Sequence, residues 1–441
     1  MREAKFDRGQ AGVGETVFAL ATAPGRAAVA VIRISGPATD EALQAISGAL
    51  PPPRQLMLRA IRAANGMLID RGMVVRFPEG ASYTGEAMAE LHLHGGRATV
   101  ARALAELEAT PGLRQAEPGE FTRRAMRNGR IDLARAEGLA ELIDAETEMQ
   151  RRQALAALDG GLAGQARLWR EGVIDALGWI EATLDFSDEA DSPDALPEDL
   201  GHELRRLASE IAEAAALAPG RERVREGFRV ALVGPPNAGK STLINAIAGE
   251  DVAISSATPG TTRDVIRVSC DLDGLPVVFL DMAGLRATAD EVEALGVERG
   301  RRAAASADLR LFLAAPDAPD LAEEGLERPG DIRVWTKADL GAGPGWREIS
   351  VIRGHGVKAL LADIRTELAA RAPASAVSAN RRQSACLRDA AAALMDAASP
   401  APAEIRAEWL RRAALSLELM IGSVAPDDVL DGVFRRFCIG K

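Results

Sequence analysis

The stretch Val230-Ala-Leu-Val-Gly234-Pro-Pro-Asn-Ala-Gly239-Lys240-Ser241-Thr242 constrains this chain more than any other. Four consecutive apolar residues read as a buried parallel strand. They run into G-x-x-x-x-G-K-S and then into the helical run Leu243-Ile244-Asn245-Ala246-Ile247-Ala248. Each part answers a need of a triphosphate. Gly234 and Gly239 let the backbone turn and bring its N–H groups close to phosphate oxygens, with Asn237 and Ala238 between them. The helix that follows adds the positive end of its dipole, with Thr242 in its first turn. Lys240 is expected to reach the β- and γ-phosphates, and the Ser241 hydroxyl to ligate Mg²⁺.

The residues downstream extend this into a nucleotide site. The loop Ile254-Ser-Ser256-Ala-Thr258-Pro-Gly260-Thr261-Thr262-Arg263-Asp264 is where a switch residue would offer a hydroxyl to Mg²⁺, and Thr262 is the candidate. Pro276–Leu280 reads as a strand ending in Asp281-Met-Ala-Gly284. Asp281 would hold Mg²⁺ through water, and the Gly284 N–H would sense the γ-phosphate. Two further strands, Leu309–Leu313 and Ile332–Trp335, follow, and the second ends in Thr336-Lys337-Ala-Asp339. A carboxylate at 339 can take both hydrogens of the guanine N1/N2 edge, whereas adenine offers no such pair. Polar groups in this order at the carboxyl edge of an open α/β sheet point to GTP. The position after Gly284, where many GTPases carry a water-orienting Gln, is Leu285. Asp290, Glu291 and Glu293 are the acidic candidates for that task, and the residues alone do not separate them.

At 441 residues the chain has room for about three domains. No apolar run reaches the ~18 residues of a membrane span, and three widely spaced cysteines suit a reducing, cytoplasmic setting. The net charge of −11 supplies no global attraction for nucleic acid, so RNA contact needs a local basic patch. Arg123, Arg124, Arg127 and Arg130 form such a cluster, with a solvated helix face as the alternative. Residues 1–118 read as an α+β domain: a hairpin over 15–35, helices at 37–50 and 97–108, and strands at 57–62, 67–77 and 87–93. His92 and His94 share a strand face, either as a metal pair or as ordinary strand histidines. Arg33 lies inside an apolar strand, where a charge needs an anion or a carboxylate such as Glu90. Helical periodicity covers 119–220 and returns over 372–441, flanking a nucleotide domain at 221–371. One helical domain carrying an insertion is the simplest arrangement, and two separate bundles the other.

With these motifs in place, the sequence resembles the MnmE (TrmE) family of tRNA modification GTPases along nearly its whole length. The resemblance rests on Pro24-Gly-Arg-Ala-Ala-Val-Ala-Val-Ile-Arg-Ile-Ser-Gly36, Ser82-Tyr-Thr-Gly-Glu86, His94-Gly-Gly96 and Pro118-Gly-Glu-Phe121. It continues through Asn128-Gly-Arg-Ile-Asp-Leu-Ala-Arg-Ala-Glu137, Gly260-Thr-Thr-Arg-Asp264 and the tail Phe437-Cys-Ile-Gly-Lys441. It implies a multidomain fold: an α+β N-terminal domain that dimerises, an all-α helical domain, and an inserted P-loop α/β GTPase domain. It implies GTP hydrolysis on contact of two GTPase domains, with K⁺ held by Asn237 and covered by the loop of Ser256, Thr258 and Thr261. It selects Glu293 as the water-orienting catalytic residue.

The resemblance further implies that Arg33, Glu90, Arg130 and Lys441 bind 5-formyltetrahydrofolate or a related folate as one-carbon donor. The partners it implies are a second copy of the chain, the flavoprotein MnmG and tRNA, with no membrane. The product is a carboxymethylaminomethyl-type group on C5 of the wobble uridine. Cys438 is a possible nucleophile, or a small residue packing the tail. Two departures stand out. Thr336 replaces an Asn whose amide braces base and P-loop, which bears on nucleotide affinity, and Arg130 stands where lysine is common. A ribosome-assembly GTPase is the competing function, but it would bring a basic RNA-binding module in place of the N-terminal and tail motifs.

Overall fold

The computed structural model describes residues 14–185, 199–250, 252–254, 266–281, 301–319, 325–372, 379–422, 427–435 and 437–441. They fall into two compact units, drawn from Met1–Ala140 with Ile421–Lys441 and from Glu141–Met420.

The first unit is built on a six-stranded sheet in the order β3-β4-β5-β2-β1-β6. Its strands are β1 (Thr16–Leu20), β2 (Val29–Ser35), β3 (Met57–Arg62), β4 (Leu68–Phe77), β5 (Met88–His94) and β6 (Leu113–Gln115). The expected hairpin is there, with Val17 opposite Ser35 in antiparallel β1–β2. β6 is an addition that the sequence pattern does not announce; it pairs parallel to β1. Alternation along a strand sends neighbouring side chains to opposite faces. Phe18, Ile32, Ile34 and Leu91 bury on one face with Leu43 of α1 (Thr39–Ser47) and Leu107 of α2 (Arg97–Glu108). Val17 and Ala19 bury on the other with Phe121 of α3 (Glu120–Arg127). Arg33 is also on this second face, its guanidinium 5.7 Å from the Phe121 ring centre. A smaller cluster joins Ala136 of α4 (Leu133–Asp144) to Phe434 and Phe437 near the end of the chain.

In the second unit the helices α5 (Glu148–Leu158), α6 (Gly161–Asp185), α7 (Leu200–Ala216) and α8 (Ala218–Glu226) precede the nucleotide-binding part in sequence. α7 buries Leu204, Leu207, Ala208, Ile211 and Ala215, an i, i+3, i+4 stripe that makes one apolar face. Thr147 opens α5 with a reciprocal cap, accepting from the Gln150 amide while the Gln150 side chain takes the Thr147 N–H.

The α/β part carries a seven-stranded sheet in the order β13-β12-β11-β7-β10-β9-β8. In chain order these are β7 (Phe228–Val233), β8 (Ala253–Ile254), β9 (Ile266–Leu272), β10 (Leu275–Asp281), β11 (Leu309–Ala314), β12 (Ile332–Trp335) and β13 (Arg347–Glu348). β13, β12, β11, β7 and β10 run parallel, and β9 and β8 complete the sheet antiparallel. α9 (Lys240–Ala248) and α10 (Val357–Ala369) cover it, and Leu243, Ile244, Leu360 and Ile364 join its core. Asp273 and Gly274, at φ 52° and 91°, make the tight turn between β9 and β10. The Gly274 carbonyl at this turn accepts from the Met149 N–H in the first turn of α5, at 3.0 Å. Beyond the α/β part come α11 (Arg381–Ala397) and α12 (Ala403–Ile421) of the helical part, and then α13 (Asp427–Phe434). This is the multidomain α+β, all-α and inserted P-loop α/β organisation.

Candidate functional site

β7 is buried at every position except Arg229 and delivers the chain to Gly234. A Cβ on Gly234 would lie 2.3 Å from the Leu313 carbonyl oxygen, so the loop passes too close to β11 for any side chain there. Asn237 follows at φ 65° and Gly239 at 82°, and Lys240 opens α9. Two left-handed positions flanking buried Ala238 curl the backbone into a concave loop of the kind that binds anions. Lys240 is buried at 9% exposure, and its Nζ donates to the carbonyls of Gly234 and Pro235, both at 2.7 Å. Ser241 and Thr242 occupy the exposed first turn of α9. Asp281 ends β10, opposite Leu232 of β7, which puts its backbone on the same sheet edge as the loop. Ser256, Thr258, Thr261, Thr262, Gly284 and Glu293 lie outside the described residues.

At the end of β12, Thr336 is 4% exposed. Its hydroxyl lies 2.8 Å from the Ala238 carbonyl and 3.2 Å from that of Ala314. The side chain that replaces Asn therefore keeps a tie to the P-loop. Lys337, at φ 52°, donates to both carboxylate oxygens of Asp317, at 2.9 and 2.7 Å. The Ser350 hydroxyl donates to Asp339 Oδ1, and with other neighbours it holds the Asp339 carboxyl below its usual range. An ionised acceptor thus stands where the guanine edge is expected. Ser350 does not stand out in the sequence. It is one serine among many, and its tie to Asp339 depends on β13 pairing beside β12.

The first unit brings a second group of expected residues together. Arg33, Glu90, Arg130 and Lys441 line one cavity of about 420 Å³, with Tyr83 and Ser82. Arg33 and Glu90 face each other across β2 and β5, and Nη2 donates to Oε1 at 2.9 Å. Arg33 Nη1 also reaches the Gly440 carbonyl at 3.2 Å, tying the chain's last residues to the cavity wall. Burial, with the nearby Arg33 charge, pushes the Lys441 ammonium below its ordinary range. Burial pushes the Tyr83 phenol up. Cys438 is solvent-exposed, so its thiol packs against no core.

His92 pairs with Glu90 and His94 with Asp70, and no metal-binding cluster of His, Cys, Asp or Glu occurs among the described residues. The arginine cluster divides between buried ion pairs and exposed positions, with Arg127 and Arg130 exposed. Arg124 is 5% exposed and bonds to Glu120, Glu86 and the Glu15 carbonyl. Arg123 pairs with Asp431 and stacks over Phe434, and Arg130 turns to the cavity. No helix among the described residues is long and apolar enough to cross a membrane.

Comparison with known proteins matches residues 16–130 to the family described as "GTP-binding protein TrmE N-terminus" and 133–438 to that described as "MnmE helical domain". Among its relatives, the tRNA modification GTPase MnmE of Paracoccus denitrificans is 48% identical over 97% of this chain and 100% of its own length. That of Rhodopseudomonas palustris is 46% identical over 97% and 99%. That of Phenylobacterium zucineum is 48% identical over 97% and 100%. A solved structure of the T. maritima FeoB G domain is 24% identical over 32% of this chain and 98% of that one, with a TM-score of 0.25.

Proposed function

The chain belongs to the MnmE (TrmE) family of tRNA modification GTPases, and from that premise we propose that it hydrolyses GTP as the driving component of a tRNA-modifying complex. One observation carries the reading: the phosphate loop, Asp281 and Thr336–Asp339 all follow the carboxyl ends of strands in one parallel array. That edge is where open α/β sheets bind nucleotides. Lys240 and the loop amides take the phosphates, and Asp339 takes the guanine N1 and N2 hydrogens. Ser241, Thr262 and Asp281 are oxygen donors of the kind Mg²⁺ prefers beside a triphosphate, and Asn237, Ser256, Thr258 and Thr261 are the residues for K⁺. When bound, the cations offset charge on the phosphates. Glu293 orients the attacking water.

The modification we assign is a carboxymethylaminomethyl-type group on C5 of the wobble uridine, with a formyl-tetrahydrofolate as one-carbon donor. Four cationic side chains (Arg33, Arg54, Arg130 and Lys441) and the Glu90 carboxylate around the cavity suit a ligand with an anionic tail and a polar pterin. The complex comprises a homodimer, the flavoprotein MnmG and tRNA, in the cytoplasm.

GTP turnover in K⁺ and in Na⁺ tests the hydrolytic part, and equal rates would remove potassium from it. Glu293→Ala is expected to slow turnover by about 10²–10⁴ with nucleotide binding intact. A purified chain that does not bind 5-formyltetrahydrofolate would overturn the one-carbon part.

A further inference from the structure

Resting on the reading of this site as a guanine-nucleotide site, we propose that Thr336 is a specificity-determining residue that leaves the N7 edge of the base unread. Among the described side chains, selection then falls on the N1/N2 edge, and guanine nucleotides without nitrogen at position 7 bind as well as the natural ligand.

The hydrogen inventory of one side chain decides this. A threonine hydroxyl has a single proton to donate, whereas an asparagine amide has two. The polar atoms beside Thr336 Oγ1 are the Ala238 carbonyl at 2.8 Å and the Ala314 carbonyl at 3.2 Å. Neither can donate, so the hydroxyl proton is committed to one of them. The Thr336 main-chain N–H is committed as well, to the Ala314 oxygen at 2.8 Å. What Thr336 can still offer a ligand is oxygen lone pairs and a methyl group. Purine N7 is itself an acceptor and gains nothing from either.

Redirecting the hydroxyl toward a base would leave the Ala238 tie unmade. Ala238 is fully buried, and its carbonyl would lose this partner. Space is also short. A Cβ on Gly239 would lie 3.2 Å from Thr336 Oγ1, so the residue fits closely under the loop. Lys337 does not replace the missing donor, because its ammonium is held by both oxygens of Asp317. On the other side, Asp339 is fixed by Ser350 and presents an acceptor to the N1/N2 edge. The site is thus asymmetric: one edge of the base meets a fixed carboxylate, and the other meets no donor from position 336. The residue's contribution to nucleotide affinity runs through the P-loop it supports, independent of the base.

The test compares GDP with 7-deaza-GDP, in which a C–H replaces N7, by titration calorimetry on the full-length chain. For the unmodified protein the two dissociation constants are expected to agree within about twofold. Thr336→Asn adds a second donor and should create a preference for GDP of about five- to tenfold, the usual worth of one net hydrogen bond. Thr336→Val keeps the shape and removes the donor, so it should weaken both ligands by a similar factor and leave their ratio unchanged. A tenfold preference for GDP in the unmodified protein would overturn the proposal, because some donor then reads N7. An unchanged ratio in Thr336→Asn would overturn it too, since the donor count at 336 would not be what decides. If neither nucleotide binds while the chain is folded, the guanine-site reading itself fails, and that outcome is distinct from any ratio.

Discussion

Replacing Gly440 by alanine tests whether the chain's final residues complete the cavity of the first unit. Gly440 sits at φ 99°, and a Cβ there would meet the Leu20 carbonyl oxygen at 2.3 Å and the Ala21 Cα at 2.8 Å. Both obstacles are backbone of the strand end, so no side-chain rotation relieves the clash. Holding a non-glycine residue in this region costs about 1–3 kcal/mol. Moving the segment away forfeits the Arg33 Nη1 bond to the Gly440 carbonyl, a charge-assisted interaction worth about 1.5–3 kcal/mol. The Arg33 bond is made by the docked tail of both proteins, so the strain alone shifts the balance, by about 1–3 kcal/mol or roughly 5- to 150-fold in the docked population. Phe437 remains held by Phe434 and Ala136, so release is confined to 438–441. Calorimetric binding of 5-formyltetrahydrofolate is expected to weaken by up to about 10²-fold. Hydrogen exchange at 439–441 should accelerate, while affinity for GDP, bound in the other unit, stays unchanged. Wild-type folate affinity together with unchanged tail protection would refute this reasoning.

Asp339→Asn should turn preference from GTP toward xanthosine triphosphate by about 10²-fold, because the amide donates where the carboxylate accepted; wild-type GTP preference in competition binding would discard the assignment. Burial pushes the Glu120 carboxyl up, but Arg114, the Glu117 amide and Arg124 outweigh it and hold it below its usual range. A depressed folded pKa gives stability that is present above the unfolded value of about 4.3 and lost as pH falls through the folded one. Glu120→Gln should therefore destabilise the first unit by about 2–4 kcal/mol at neutral pH and flatten its acid limb, read by hydrogen exchange in β1 and α3; overlapping profiles would refute it. Cys438→Ser should leave stability within about 0.5 kcal/mol, because the thiol is exposed. A larger fall in the unfolding midpoint would return that residue to a packing role.

Much of the fold is legible in the sequence because the signals are local. The hairpin of β1 and β2, the strands at 57–62 and 68–77, and the run from β7 into α9 each declare themselves by period or by glycine spacing. β6 does not: its three residues carry one apolar side chain, and only pairing with β1 makes them a strand. Arg124 misleads for a related reason. A charge on a short helix is expected outside, yet Glu120 and Glu86 surround this one inside, and that network exists only once α3 packs on the sheet. Arg33 stands out in the sequence as a charge in the wrong company, and its partner, Glu90, is a register neighbour on β5. Thr336 is legible as a departure but not in its effect, since the sequence does not show that a hydroxyl reaches the P-loop carbonyl.

The first unit is assembled from both ends of the chain, and this bears on the order of synthesis. Residues up to Ala140 leave the ribosome before the roughly 280 residues of the other unit, and Ile421–Lys441 come last. At about 5–20 residues per second, that interval is on the order of 15–55 s. Until it ends, Ala136 has neither Phe434 nor Phe437 to cover it, and Arg33 lacks the Gly440 carbonyl. The described core of the nucleotide-binding part is drawn from residues of the other unit, all synthesised before Ile421. Nascent chains should therefore acquire GDP-binding competence before the first unit's cavity closes, and a chain stalled short of Ile421 would carry the first property without the second.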